Sequence, residues 1–146
     1  MQFHSLLFGS GETSTPTDVG LLILRLGVGL PLALAHGTGK VPPSAGFVEG
    51  VAGMGFPAAA FFAWAAGLSE LVGGLLLALG LATRPAAFFV ACTMAVAFFV
   101  RHGPDAFADS EKSFLFLVGA LALLAAGAGR YAVDAVFRRR QPGTFR

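Results

Sequence analysis

Four apolar stretches, each near the length of a membrane-spanning helix, divide this chain. A helix needs about 20 residues to cross the hydrocarbon core of a bilayer, with about 17 as the lower bound. None of the stretches alternates apolar and polar residues in the manner of a barrel strand, so the predicted elements are helices. They run over residues 19–36, 57–82, 85–100 and 113–132. The predicted fold is all-α, a transmembrane four-helix bundle.

The connections between the stretches indicate how the helices are arranged. Only Thr83 and Arg84 separate the second stretch from the third, so these two helices must form an antiparallel hairpin. The loop over residues 37–56 is longer. Within it, apolar residues recur near helical spacing at Phe47, Val48, Val51 and Met54. This spacing predicts a short interfacial helix in the first outer loop rather than a fifth span.

The composition agrees with a membrane protein. Of the 146 residues, 55% are hydrophobic and 12% are charged, whereas an average soluble domain has about 25% charged residues. A chain this short and apolar cannot cover a water-exposed surface with polar groups, so we predict that it contacts the lipid bilayer. One membrane domain, residues 18–134, is predicted between a flexible N-terminal tail, residues 1–17, and a basic cytoplasmic tail, residues 135–146.

Lysine and arginine positions predict the orientation, because these residues are more frequent on the cytoplasmic side. If both termini are cytoplasmic, the inner side holds Arg84, Arg138, Arg139, Arg140 and Arg146. The outer side then holds Lys40, Arg101 and Lys112. We therefore predict that both termini are cytoplasmic. The first 17 residues contain no Lys or Arg, so no cleaved secretory signal is predicted.

Two charged residues lie inside apolar stretches, where lipid would not tolerate them unpaired. Arg25 lies in the first stretch, and Glu70 lies near the middle of the second. A charge at the bilayer centre costs about 2.5–3.5 kcal/mol, so such residues normally face the bundle interior and a partner. Because both lie within a few residues of their helix midpoints, we predict an Arg25–Glu70 ion pair. A purely structural role in helix packing is the alternative to a chemical one.

A second polar cluster is predicted toward the outer side. His36 and Lys40 end the first stretch, and Glu111 opens the fourth. His36 and Glu111, with Arg25 and Glu70, complete the predicted buried polar centre. His36 and Lys40 could bind a quinone carbonyl or an anionic headgroup, and His36 could exchange a proton with Glu70 or Glu111, since histidine titrates near neutrality. Ordinary anchoring at the membrane interface is the alternative for these residues.

Other classes of site are disfavoured. The three histidines lack the spacing of metal ligands, so no metal site is predicted. The net charge of +2 is small and the basic residues form no long stripe with exposed aromatics, so nucleic acid is not a predicted partner. No phosphate loop, dinucleotide-binding glycine motif or nucleophile elbow occurs, and no catalytic residue is predicted. The lone Cys92 is interpreted as a small packing residue.

A series of short motifs resembles the DoxX family of small bacterial and archaeal membrane proteins. In chain order they are LLILRLGVGL, HGTGK, MGFP, GLSELVGGLLLALGLATRPAA, a polar Glu111 before the last span, and GAGRYAVD. Their order and spacing carry the resemblance, which covers residues 21–134. The chain departs from the family in the extra glycines before Lys40 and in GAGRY, where relatives often have GPGRY.

The resemblance implies a four-helix, multi-pass fold in the bacterial cytoplasmic (inner) membrane. The matched polar positions are Arg25, His36, Lys40, Glu70, Arg84, Glu111, Arg130 and Asp134. Arg84 thereby joins His36 and Lys40 as a candidate for ligand or headgroup binding.

The resemblance also implies an inner-side polar cluster. Arg130 and Asp134 end the fourth span there and are expected to form an ion pair. Asp134 is at the same time a second candidate partner for Arg25, in competition with Glu70.

The functions that the resemblance implies fall into three classes. Some relatives look like subunits of quinone-linked oxidoreductases, which favours an accessory subunit that docks a redox protein and helps to bind quinone. Any enzymatic activity would then belong to the complex. Other relatives look like scaffolds or assembly chaperones for membrane proteins, which is the alternative. A small-molecule carrier ranks third, because the sequence has no paired broken helices. A homo-oligomer is the alternative to a complex with a redox protein.

Overall fold

The computed structural model describes residues 14–103 and 106–139, and every regular element within these ranges is a helix. The helices are α1, Thr15–Lys40; α2, Ala45–Gly53; α3, Ala59–Leu79; α4, Thr83–Arg101; α5, Phe107–Ala126; and α6, Val133–Arg139. Three of the described helices, α1, α3 and α4, are long and apolar enough to cross a membrane. The chain is therefore a multi-pass membrane protein, as predicted.

The helix bounds differ from the predicted ones chiefly at α1 and α5. α1 has 26 residues and extends past both predicted ends. α5 has 20 residues and begins at Phe107, but it ends at Ala126, six residues before the predicted end. It ends there because Gly127 and Gly129 adopt positive φ angles of 81° and 75°, which turn the chain back toward α1 and α3.

Three parts of the predicted organisation remain predictions. α5 carries Asp109, Glu111 and Lys112 in its first two turns, and its passage through the bilayer is not established by length and composition. α2 forms in the predicted loop, and its position at the membrane interface remains a prediction. The predicted tails fall mainly on residues 1–13 and 140–146, which lie outside the described residues.

Three of the described helices contain a widened, π-helical turn. The turns are Leu32–Gly37 in α1, Ser69–Gly73 in α3 and Ala97–Arg101 at the end of α4. The turn in α1 follows Pro31, whose missing N–H removes one bond from the α-helical pattern. The turns in α1 and α3 pack against each other. Such turns are rare and frequently occur at functional sites.

α1 and α3 approach so closely that glycine is required at the contact. A Cβ atom at Gly74 would lie 2.8 Å from the carbonyl oxygen of Gly29, and a Cβ atom at Gly29 would clash with the carbonyl oxygen of Gly74. Further along, a Cβ atom at Gly67 would lie 2.7 Å from the carbonyl oxygen of Lys40. Small residues let membrane helices pack at short distance. These contacts fix the register of α1 against α3.

The apolar core lies where α1, α3, α4 and α5 meet, and α4 packs most extensively against α5. Its larger members are Leu21, Val28, Leu32, Leu77, Val90, Met94, Leu117 and Leu123. Large apolar residues on the outer surface remain exposed, as lipid contact requires; examples are Ile23, Leu34, Phe61 and Phe99. We call the end where α1 finishes the Lys40 end, and the end that holds the α3–α4 turn the Asp134 end.

Candidate functional site: a cavity beside the Lys40–Glu70 pair

A cavity of about 600 Å³ lies at the Lys40 end, bounded by α2, α3 and α4. Aromatic side chains form much of its wall: Phe47, Phe56, Phe62 and Phe89. Smaller apolar groups complete the wall: Val51, Met54, Ala65, Ala66, Val96 and Ala97. The polar groups that line it are Lys40, Ser69, Glu70, Thr93, Arg101 and His102. A mostly apolar cavity with a few convergent polar groups is the usual form of a small-molecule site.

The polar centre of the cavity is an ion pair between Lys40 and Glu70. Lys40 Nζ donates to both carboxylate oxygens of Glu70, at 2.6 Å to Oε1 and 2.7 Å to Oε2. The Glu70 side chain is 2% exposed, whereas that of Lys40 is 32% exposed. The glycine at position 67 lets the end of α1 reach α3 one turn before Glu70. The pair therefore joins two helices and presents a buried, neutralised carboxylate to the cavity.

Two further groups lie beside this ion pair, the Phe47 ring and the Ser69 hydroxyl. The Lys40 ammonium lies 5.4 Å from the centre of the Phe47 ring on α2, a cation–π distance. The Oγ atom of Ser69, next to Glu70 in the π-helical turn of α3, is buried and has no hydrogen-bond partner among the described residues. A buried hydroxyl without a partner is costly, so Ser69 can gain from a ligand that offers one.

Arg25 lies at the other end of the bundle, where backbone carbonyls satisfy it. Its Nη1 donates to the carbonyl oxygen of Ala78 at 3.0 Å, and its Nη2 donates to that of Tyr131 at 2.6 Å. The Asp134 carboxylate is close enough to act electrostatically on the guanidinium. Arg25 thus ties α1 to the end of α3 and to the segment that follows α5.

The predicted Arg25–Glu70 ion pair is wrong, although both residues are buried, at 1% and 2% exposure. Glu70 pairs with Lys40, and the glycine contact between α1 and α3 places Arg25 beside Ala78. Ala78 lies two turns beyond Glu70 on α3, about 12 Å along the helix axis. The helix midpoints are thus a poor guide to which charges meet.

His36 and Glu111 do not join a common polar centre with Arg25 and Glu70. The His36 ring contacts the Phe116 ring edge-on, with centroids 5.6 Å apart. Glu111 is exposed on α5. Neither residue lines the cavity. The predicted four-residue centre is therefore divided among separate parts of the molecule.

Arg84 also lies away from the cavity. It is the second residue of α4, at the Asp134 end, where its Nη2 donates to the carbonyl oxygen of Ala125 at 3.0 Å. Arg84 thus lies at the opposite end of the bundle from Lys40, and its role in headgroup binding remains a prediction.

Arg130 contributes to the Asp134 end through its backbone rather than its charge. The Arg130 side chain is exposed, and its N–H donates to Oδ1 of Asp18 at 2.8 Å. The predicted Arg130–Asp134 ion pair is not formed, because the Asp134 carboxylate binds the α3–α4 turn instead. Asp18, only 1% exposed, was not among the predicted site residues. Its place in the first turn of α1, in front of an apolar stretch, is the signal that could have found it.

Asp134 caps α4 from a distant part of the chain. Its Oδ1 accepts from the N–H of Ala82 at 2.8 Å, and its Oδ2 accepts from the N–H and the hydroxyl of Thr83, each at 3.0 Å. The backbone N–H of Asp134 donates to the carbonyl oxygen of Gly80 at 2.9 Å. The first N–H groups of a helix have no partner within the helix. The carboxylate satisfies them and places a negative charge at the positive end of α4.

Removing this cap should destabilise the protein. Asp134→Ala is expected to lower the free energy of unfolding by about 1–3 kcal/mol, since it leaves two buried N–H groups unsatisfied. Asp134→Asn should lower the free energy of unfolding by less, because the amide keeps one acceptor oxygen. Unfolding in mixed detergent micelles measures both. Asp109→Ala, which removes an exposed acid from the first turn of α5, is the control and should change stability by about 0.5 kcal/mol or less. Equal losses at Asp134 and Asp109 would contradict the capping role.

Other cavity residues were not predicted from the sequence. Ser69 was not singled out, and the role of α2 as a cavity wall was not predicted. Cys92, interpreted as a packing residue, is exposed and lines the cavity. Two glycines one helical turn apart on α2, Gly46 and Gly50, are a signal in the sequence that could have indicated an open helix face.

Comparison with known proteins assigns the chain to a family. A protein of Bacillus subtilis (strain 168) named "Putative oxidoreductase CatD" is 29% identical over 128 residues, which cover 86% of this chain and 93% of the relative. No solved structure matches the chain. The DoxX family profile matches residues 20–103, more than half of the sequence. Because that match spans α1 to α4, including the Lys40–Glu70 pair and the cavity, the chain belongs to the DoxX family.

Proposed function

We propose that this chain is a membrane subunit of a quinone-linked redox complex and that the cavity at the Lys40 end binds the quinone ring. The observation that carries the proposal is the Lys40–Glu70 pair, with its buried carboxylate, in the wall of a mostly apolar cavity. A bound quinone would supply a carrier of two electrons and two protons. Electron transfer itself belongs to a partner protein of the complex in this proposal.

The residues of the cavity fit a quinone ring. Its volume of about 600 Å³ falls within the range of about 300–1,000 Å³ typical of small-molecule sites. The phenylalanines offer faces and edges against which a flat ring can stack. The unpartnered Oγ of Ser69 and the Lys40 ammonium are donors suited to ring oxygens.

Lys40 has the leading role among these residues. An ammonium group has three donors, and the two hydrogen bonds to Glu70 leave one for a ligand oxygen. Glu70 holds the ammonium in place and neutralises it, so that a neutral ring can enter without meeting an unpaired charge. The exposed fraction of Lys40, 32%, gives the ammonium room to turn toward the cavity.

The name of the Bacillus subtilis relative calls that protein an oxidoreductase, which supports a redox role for this chain. We further propose that α5 completes a four-helix bundle in the cytoplasmic membrane, with both termini cytoplasmic. The Lys40 end then lies at the outer side, and α2 lies along the interface there. Lipid-soluble quinone would reach the cavity from the bilayer.

Quinone binding by the purified protein tests the proposal. A short-chain ubiquinone or menaquinone analogue titrated into the protein in lipid nanodiscs should bind at a single saturable site. Lys40→Met should weaken binding by about tenfold or more, the value of one charge-assisted hydrogen bond. Lys112→Met, which removes an exposed ammonium on α5, is the matched control and should leave the affinity unchanged.

A different result would favour the scaffold alternative. If the wild-type protein binds neither quinone analogue, the quinone-linked proposal is wrong. Glu70→Gln separates the two functions further in cells. Normal assembly of the complex with lost quinone-dependent activity supports the proposal, whereas poor assembly with unchanged activity supports a scaffold.

A further inference from the structure

Two of the residues that α2 contributes to the cavity wall, beside Phe47 and Val51, are glycines. Gly46 and Gly50 lie one turn apart on α2, and both line the cavity. A Cβ atom added at either position would meet no atom within 4 Å. Close packing therefore does not require glycine at these positions, in contrast to Gly29 and Gly74, where it does.

These glycines make α2 a less stable helix than alanine at the same positions would. Each glycine in a helix interior costs about 0.5–1 kcal/mol relative to alanine. α2 has nine residues, and isolated helices shorter than about 12 residues are marginal. What the glycines provide in return is open space on the cavity side of the helix.

α2 packs closely against α3 but not against α4. It packs against α3, with Val51 only 3% exposed, and makes no comparably extensive contact with α4. The cavity occupies the space between α2 and α4. Phe47 lies over the Lys40 ammonium, so the position of α2 is tied to the ion pair that lines the cavity.

We infer that α2 is a lid whose glycine face receives the ligand ring, and that the hydroxyl of Ser69 is the second group that binds a ring oxygen. The inference rests on the proposed function, because it takes the ligand to be a quinone. The ring enters between α2 and α4, where no side chain of α2 stands in its way at positions 46 and 50. Ser69 lines the cavity, and a turn about its Cα–Cβ bond would bring the buried Oγ to the ring oxygen and supply the hydrogen bond that it lacks within the protein.

Leucine at Gly50 tests the lid directly. Gly50→Leu fills the space on the cavity side and should lower the affinity for the short-chain quinone by about tenfold or more. Gly53→Leu is the matched control. Gly53 lies on the same helix, also has no atom within 4 Å of an added Cβ, and does not line the cavity. The affinity of Gly53→Leu for the short-chain quinone should stay within about twofold of wild type.

Stability without quinone gives an independent readout. Both leucine variants should melt at or above the wild-type temperature, because leucine favours the helix over glycine. Gly53→Leu should keep the full rise in melting temperature that quinone produces, whereas Gly50→Leu should show a smaller rise at the same quinone concentration. If Gly50→Leu does not fold, Gly50→Ala replaces it, with an expected loss of about threefold in affinity. Ser69→Ala should lower the affinity for quinone by about fivefold to tenfold, because one hydrogen bond is lost.

The outcomes distinguish the lid from the proposed function. If wild type binds quinone and the variants at positions 50 and 69 bind it equally well, the lid and the Ser69 contact are wrong while the quinone site stands. If wild type does not bind quinone, the proposed function fails and this inference fails with it.

Discussion

Replacing Lys40 by methionine is expected to lower the free energy of unfolding by about 3–5 kcal/mol, the cost of leaving one member of a buried ion pair alone. Glu70 is 2% exposed, and both of its carboxylate oxygens accept from Lys40 Nζ. Methionine keeps the length and much of the volume of the lysine stem. The loss of stability therefore measures the cost of the unpaired Glu70 carboxylate, because methionine leaves little empty space at position 40. Unfolding of the purified protein in mixed detergent micelles measures it.

The double variant Lys40→Met/Glu70→Met separates the two partners. Replacing a whole buried pair by apolar residues of similar size is often neutral or stabilising, so the double variant should regain most of the lost stability. It should still fail to bind quinone, because the donor to the ring oxygen is gone. If it is as unstable as the single variant, the destabilisation does not come from an unpaired carboxylate. If Lys40→Met alone has wild-type stability, Glu70 is not buried as the structure has it.

Adding one methyl group at the contact between α1 and α3 should lower the free energy of unfolding nearly as much as Lys40→Met does. Gly29→Ala places a Cβ atom against the carbonyl oxygen of Gly74, a backbone atom that cannot turn away. The helices must separate, and we expect a loss of about 2–3 kcal/mol in the free energy of unfolding. The shift also moves the end of α1, so the Lys40–Glu70 hydrogen bonds should lengthen and quinone affinity should fall.

Gly27→Ala is the matched control for this variant. Gly27 lies on the same helix two residues earlier, is exposed, and has no atom within 4 Å of an added Cβ. Alanine there should leave stability unchanged or raise it by up to about 1 kcal/mol, since alanine favours a helix over glycine. Equal behaviour of the two variants would mean that the α1–α3 register does not depend on contact at position 29.

The sequence predicts the all-helical fold and the membrane location, because these depend on the length and composition of each apolar stretch, and it predicts the family from the order and spacing of short motifs. It predicts the end of α5 poorly. Residues 127–132 contain one charged residue, Arg130, and fall within the predicted fourth span; the positive φ angles at Gly127 and Gly129 terminate the helix before them. Apolar character is shared by a helix and by a buried turn, so hydropathy cannot separate them.

The sequence predicts the burial of Arg25 and Glu70 but not that of Asp18, it wrongly places Glu111 in the buried centre, and it does not predict which charges meet. The burial of Arg25 and Glu70 follows from the cost of a lone charge in lipid. Their partners depend on the register of two helices, which the contact between Gly29 and Gly74 decides. Since α1 and α3 hold several glycines each, the sequence alone does not reveal which of them touch. The cavity was harder still to predict, because it depends on how α2 packs and on the absence of side chains at Gly46 and Gly50.

The remote cap on α4 has a consequence for how the protein is made. Asp134 follows Thr83 by 51 residues, so the ribosome releases the α3–α4 turn well before the carboxylate that binds it. Until Asp134 emerges, water must satisfy the N–H groups of Ala82 and Thr83. Only after translation has passed α5 can the chain fold back and replace that water. Closure of this end therefore waits for Asp134, and a truncated product without Asp134 would lack the cap on α4.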